Sequence, residues 1–201
     1  MLNLCYANKY GELTECFELL RNKIAVREQW NPECVLPTNG ATGALDAIFL
    51  SIALQRYQKG EQPTAVIAVP EYFDAFKQLK LGGYQLTEVK GESFTYPVKE
   101  VVETIRRVKP ALCYVSRPRN PTGELIEGKA LDEILSTGDE TCIVLDRSLL
   151  HPDKGYTAKE VRDKWGGKNI VIVDSFSKKE GLILERAGYL LTMNKETRDR
   201  I

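Results

Sequence analysis

The sequence predicts an α/β fold, a mostly parallel sheet sandwiched by helices. Three observations carry that prediction. Short apolar, β-branched runs recur at residues 65–69, 111–116, 141–146 and 169–174, each of a length suited to a buried strand. Between them lie stretches whose apolar positions follow the helical period. Polar residues suited to chemistry fall just after the carboxyl ends of these runs, where open α/β sheets bind ligands.

The elements follow in order. Leu13, Cys16, Phe17, Leu20 and Ile24 share one face of a first helix. Residues 38–43 are turn-rich, and Leu45, Ile48, Phe49, Ile52, Ala53 and Tyr57 then form a second amphipathic run. Pro63 leads into the strand at 65–69. A helical pattern over 73–81 precedes a strand near 84–89. Pro97 opens a helix, because proline suits a first turn, and Pro110 closes it before the strand at 111–116. A helix near 127–136 leads to the strand at 141–146. The polar stretch 151–168, with Gly155, Gly166 and Gly167, reads as a surface connection. A strand at 169–174 and an apolar run near 187–192 complete the chain. Strands alternating with helices imply a sheet covered on both faces.

Composition narrows the function classes. The chain has 201 residues, 43% of them hydrophobic, which is enough to bury a core for one large domain. Its 28 basic and 28 acidic side chains balance, which gives no electrostatic case for nucleic acid or an anionic membrane. Five cysteines without a CxxC pair point to reduced thiols in a cytoplasmic protein rather than to disulfides or zinc. His151 is the sole histidine, so metal sites and Ser-His triads have little to build on. No apolar run reaches membrane-spanning length, and the N-terminus lacks a signal-peptide pattern.

Four places carry chemistry. Gly40-Ala41-Thr42-Gly43 opens a helix, where free N–H groups and the helix dipole favour an anion and Thr42 adds a hydroxyl; a plain capping turn is the competing reading. Asn120-Pro121-Thr122-Gly123 is a turn after a strand, whose Asn120 amide can donate to an oxygen ligand or serve the turn alone. Asp146 ends an apolar strand and needs a partner: a protonated pyridine nitrogen, a lysine or a helix N-terminus. Lys178, after Asp174-Ser175-Phe176-Ser177, is a lysine at the mouth of a parallel sheet, suited to imine formation, whereas its neighbour Lys179 reads as an ordinary surface lysine.

Together these motifs resemble fold-type I aminotransferases. The segment from Ser175 through Lys178 to Arg186 and Gly188 is similar to that family's Schiff-base segment, with the arginine eight residues after the lysine and the glycine two later. The Gly40 loop, Asn120-Pro-Thr-Gly and Asp146 come in the family's order, and the resemblance covers nearly the whole chain. It implies the large domain of an aminotransferase that binds pyridoxal 5'-phosphate and moves an amino group between an amino acid and a 2-oxo acid. It implies that Lys178 forms the Schiff base and shuttles a proton, and that Asp146 pairs with the pyridine nitrogen. Asn120 would bond the phenolic oxygen, and Tyr72 would stack on the ring. Ala41, Thr42, Ser175 and Arg186 would bind the phosphate. Asn8-Lys9-Tyr10 resembles a segment that reaches a neighbouring subunit's phosphate in histidinol-phosphate aminotransferase relatives, which implies a homodimer.

Two departures stand out. The family often has a tyrosine three residues after the aspartate; here that position is Leu149. Family members also carry a C-terminal small domain with an arginine for the substrate carboxylate, and this chain is expected to lack it. Arg117, Arg119 and Arg147 lie in loops from which a substitute could come, but solvent-facing arginine is the preferred reading for all three. Competing expectations are therefore a cofactor-binding module without turnover, or an amino-acid decarboxylase on the same scaffold. A nucleotide-binding domain ranks last, since no GxGxxG or P-loop pattern is present.

Overall fold

The computed structural model describes residues 9–92, 94–150 and 155–201, with side chains from residue 15 onward. Asn8, the Tyr10 side chain and His151 lie outside the described residues. The long first helix, α1 (Lys9–Glu28), leads through a short 3-10 turn to β1 (Val35–Thr38) and α2 (Gly40–Gln58). Next come β2 (Thr64–Val69), α3 (Phe73–Leu81), β3 (Gln85–Lys90), α4 (Val98–Val108), β4 (Leu112–Ser116), α5 (Gly128–Leu135) and β5 (Cys142–Asp146). The remainder is α6 (Ala158–Trp165), β6 (Ile170–Ser175), the four-residue α7 (Phe176–Lys179), β7 (Gly188–Thr192) and α8 (Lys195–Arg200).

The strands form one seven-stranded sheet in the order β1-β7-β6-β5-β4-β2-β3. β2 pairs in parallel with β3 and β4, β4 with β5, and β5 with β6, whereas β7 is antiparallel to both β6 and β1. Among the described residues β7 alone therefore runs against the rest. The connection before it contains only α7, so the chain turns back beside β6 instead of making the crossover a parallel strand needs. Every residue of β4, β5, β6 and β7 is buried, as expected for strands covered on both faces. One face packs against α2 and α3 through Leu45, Ile48, Phe49, Ala75 and Leu79. The other packs against α1, α4, α5 and α6 through Ile24, Val101, Ile105, Leu131, Val161 and Trp165. Among the described residues no helix is long and apolar enough to cross a membrane.

Several local expectations are corrected. Within the stretch read as a surface connection lies α6. Thr157 caps it by accepting from the Glu160 N–H while the Glu160 carboxylate accepts from the Thr157 N–H, and Ala158, Val161 and Trp165 bury its inner face. β1 is a strand that the pattern missed, because it has four residues and contains Pro37, a residue tolerated on a sheet edge. The three loop arginines are buried, not solvent-facing. Arg117 Nε donates to the Ile126 carbonyl at 2.7 Å. Arg119 donates to the carbonyls of Phe94 (2.9 Å) and Pro70 (2.6 Å) and to Glu124 (3.1 Å). Arg147 reaches Glu28 at 3.0 Å and Asp174 at 2.9 Å. Lys179 is likewise no surface lysine: its ammonium bonds both oxygens of Asp174 at 2.6 Å. Each buried cation finds carbonyl or carboxylate acceptors, although Arg117 Nη2, Arg119 Nε and Arg147 Nε each stay without a hydrogen-bond partner among the described residues.

Candidate active site

The sheet register brings the ends of the parallel strands and the start of the antiparallel β7 into one row. Thr38 lies opposite Gly188, Gly188 opposite Ser175, and Asp146 opposite Ser116. The loops leaving these ends line a cleft of about 290 Å³. Ala41, Thr42, Tyr72, Asn120, Asp146, Ser175, Lys178 and Arg186 all line it, so the structure brings together every expected site residue whose side chain is described; that of Tyr10 lies outside the described residues.

One part of the cleft is built for an anion. Gly40 begins the 19-residue α2 at φ +68°, and Ala41 and Thr42 follow in its first turn, where N–H groups lack helical partners. A Cβ on Gly40 would stand 2.9 Å from Arg186 Nη2, so the guanidinium lies against this turn. Arg186 itself has φ +49°, a left-handed conformation that costs a non-glycine residue of order 1–3 kcal/mol. β7 starts just as close: a Cβ on Gly188 would sit 2.5 Å from the Gly40 carbonyl carbon. The Ser175 hydroxyl caps α7 by accepting from the Ser177 N–H at 3.0 Å. Ser177 Oγ is buried with no hydrogen-bond partner among the described residues, and Ser177 lines the cleft.

The remaining groups suit a ring. Asp146 is 5% exposed, and burial raises its pKa from the ordinary carboxylate value; the Ser148 N–H (2.9 Å) and the Tyr114 hydroxyl (2.8 Å) oppose that by donating to its two oxygens. Tyr72 precedes α3 and is half-buried; its hydroxyl donates to Asp74 at 2.9 Å, and burial followed by that carboxylate pushes the phenol up to about 12. Lys178 is exposed toward the cleft, unlike Lys179, which turns back to Asp174. Asn120 is held by its N–H donating to Ser116 Oγ at 3.2 Å. Leu149 lines the cleft at the position where a tyrosine was expected.

Tyr114, Ser116, Ser148 and Ser177 also line the site and were not singled out from the sequence. Tyr114 left a signal. A tyrosine inside an all-buried strand must find a partner for its hydroxyl, and the alternation of β4 puts it on the same face as Ser116.

A helix start beside an arginine, a buried carboxylate, an aromatic side chain and an exposed lysine thus share one cleft. The chain belongs to the aminotransferase class I and II family, whose model matches residues 11–201. A histidinol-phosphate aminotransferase from Caldanaerobacter subterraneus subsp. tengcongensis is 26% identical over 188 residues, covering 93% of this chain and 50% of that protein. Among solved structures, L-threonine-O-3-phosphate decarboxylase from Porphyromonas gingivalis superposes with a TM-score of 0.72 at 23% identity, over 91% of this chain and 51% of its own. A histidinol-phosphate aminotransferase from Sinorhizobium meliloti, solved with pyridoxal-5'-phosphate, gives a TM-score of 0.73 at 19% identity, over 90% and 49%. The chain thus spans half or less of the length of the first curated relatives it matches.

Proposed function

We propose that residues 1–201 are the cofactor-binding large domain of a pyridoxal-phosphate-dependent aminotransferase. It would move an amino group between an amino acid and a 2-oxo acid, with Lys178 as the Schiff-base lysine. The observation that carries the reading is the convergence on one cleft of Lys178, the buried Asp146 carboxylate, the Tyr72 ring and the anion-binding group of Ala41, Thr42, Ser175 and Arg186. The partnerless Ser177 hydroxyl beside that group supports the same fit, since a phosphate oxygen would satisfy it. Pyridoxal phosphate, when bound, supplies an electron sink for the charge left on carbon as a substrate bond breaks.

The chain's own residues would do the rest. The amides at the start of α2, the Thr42 and Ser175 hydroxyls and the Arg186 guanidinium hold the phosphate. Asp146, furnished with two donors, would pair with the pyridine nitrogen and hold its proton in place, the partner its buried carboxylate needs. The Asn120 amide would donate to the phenolic oxygen, and Tyr72 would stack on the ring. Lys178 Nζ would anchor the cofactor and serve as the group that carries a proton at the site. The active form in this reading is a homodimer, with Tyr10 reaching the neighbouring subunit's phosphate. A second reading, an amino-acid decarboxylase, uses the same residues and is favoured by the likeness to the P. gingivalis decarboxylase.

Adding pyridoxal phosphate to the protein is expected to give the visible absorption band of lysine-bound cofactor, and Lys178→Ala is expected to abolish it. No band in the unmutated protein, or a band that survives the substitution, overturns the assignment. A panel of amino acids then separates the readings. Bleaching of the band marks amino transfer, release of carbon dioxide marks decarboxylation, and neither leaves a binding module without turnover.

A further inference from the structure

Glu71 sits just beyond β2, buried, between the two loops that bring Tyr72 and Asn120 to the cleft. Its Oε1 accepts from the Tyr72 N–H at 2.8 Å and from the Ser116 hydroxyl. Its Oε2 faces the Ser116 N–H at 3.4 Å. Ser116 Oγ in turn accepts from the Asn120 N–H at 3.2 Å. One carboxylate thus ties the residue before α3 to the turn after β4. A second tie runs beside it, from Arg119 to the Pro70 carbonyl.

We propose that Glu71 is a positioning residue whose ionisation sets how firmly the Tyr72 and Asn120 loops are held together, and through them how tightly the cleft binds a phosphorylated pyridine. The second half of this statement rests on the cofactor reading above; the first half does not. Ionised, the carboxylate only accepts, and three protein donors already aim at it. Protonated, it must donate, and the hydroxyl of Ser116 is the partner within reach. The direction of the Glu71–Ser116 bond then reverses, and the Ser116 proton is released toward the cleft that Ser116 lines. Asn120, which leans on Ser116 Oγ, feels the change.

The surroundings place this event in the neutral range. Burial pushes the Glu71 carboxyl up to about 7, against the opposing pull of the Ser116 and Tyr72 donors and the Arg119 charge. The other groups facing it are Tyr96 ahead of α4 and Cys113 and Tyr114 on β4, and burial raises all three above their ordinary values. Asp146 lies beyond Tyr114, which faces both carboxylates. Arg119 is itself ion-paired with Glu124 at 3.1 Å. Against Tyr96, Cys113 and Tyr114, whose raised values keep them uncharged, Glu71 is the group expected to change charge near neutrality.

Two measurements on the same protein test the two halves. In the ligand-free protein, the amide resonances of Tyr72, Ser116 and Asn120 are expected to titrate with one shared midpoint near 7, and to lose that midpoint in Glu71→Gln. Ser116→Ala, which removes the relay but not Glu71, is expected to silence Asn120 and leave Tyr72 titrating. Separate midpoints, or a shared one that persists in Glu71→Gln, overturn the clamp. The second measurement is the affinity for pyridoxine 5'-phosphate, which lacks the aldehyde and so binds without the lysine bond. The ratio of affinities, unmutated over Glu71→Gln, is expected to rise about tenfold between pH 5.5 and 8.5, because the ligand's own titration cancels in the ratio. A flat ratio overturns the link to binding. Absence of any binding by the unmutated protein sinks the cofactor reading and with it that link, while the amide titration still decides the clamp.

Discussion

Behind the cleft, Asp174 offers the sharpest test of how this fold holds charge. It is fully buried at the end of β6. Both of its oxygens take the Lys179 ammonium at 2.6 Å, and Oδ2 also takes Arg147 at 2.9 Å. Arg147 continues to Glu28 at 3.0 Å, and Glu28 accepts the Tyr189 hydroxyl at 2.8 Å. Two acids and two bases thus close a cluster that balances. Burial alone would lower the Arg147 pKa, yet Asp174 and Glu28 more than reverse that and hold it above the ordinary guanidinium value. Asp174→Asn keeps the shape and the acceptor for the Ser175 N–H, but strands two buried cations with one anion. Removing one partner of a buried ion pair costs about 3–5 kcal/mol. For a chain of this size each kcal/mol moves Tm by roughly 2–4 °C, so a fall of about 6–20 °C is expected.

Urea unfolding followed by circular dichroism is the assay, with the midpoint expected to fall at unchanged slope. Lys179→Met placed on top of Asp174→Asn should cost less than the sum of the two single changes, because it removes one stranded cation. A loss below about 1 kcal/mol for Asp174→Asn, the range of a solvated ion pair, would refute the view that this cluster is dry and mutually dependent.

Other outcomes follow from the same geometry. Gly40→Ala must hold a Cβ at φ +68° and press it on Arg186; a stability loss of about 1–2 kcal/mol and a clear loss of pyridoxal-phosphate affinity in a spectral titration are expected, and unchanged affinity would remove Gly40 from the anion site. Glu71 is protonated to higher pH in the folded state than in the unfolded chain, so it lowers stability as pH rises from about 4.5 to about 7, by about 3 kcal/mol in all. Urea midpoints across that window should fall less steeply in Glu71→Gln, and identical slopes would contradict the burial cost. Thr157→Ala removes the cap of α6 and should cost about 1 kcal/mol by the same assay; no change would mean that α6 stands on the packing of Val161 and Trp165 alone.

The cleft was legible in the sequence and the charge cluster was not, for one physical reason. Tyr72, Asn120, Asp146 and Lys178 each sit at the end of a local pattern, a buried run followed by a turn, and Thr42 was legible from the glycine-rich turn that opens a helix. A parallel sheet carries all such ends to one edge whatever the side chains do elsewhere. The same logic found the four β-branched parallel strands, and failed for β1, whose four residues with Pro37 carry no run to read. Arg147 looked like a surface cation because its partners are set by tertiary register. Glu28 lies 119 residues from Arg147, and its other donor, Tyr189, is 161 residues away. Nothing in the sequence around Arg147 announces such pairing, whereas Lys179 finds Asp174 only five residues back, through the short turn of α7. α6 was missed differently: Thr157 and Glu160 form a readable capping box, but the flanking glycines and lysines outweighed it.

Glu71 shows what this division means for function. Its neighbour Tyr72 was readable as a site residue, because an aromatic after a strand end is a local feature. The carboxylate's task, holding Tyr72 to Ser116 and Asn120, depends on a residue 45 positions away. Placing an ionisable group there works against folding, since its charge is disfavoured by burial above about pH 7, where the clamp is expected to be tightest. A glutamine of the same size would avoid that cost, but it would present an N–H group to a place where three donors already converge. The stability lost at neutral pH and the order gained in the two loops are therefore one effect seen from two sides, and Glu71→Gln should reverse both in the same protein: more stable above neutrality, and less able to hold its ligand there.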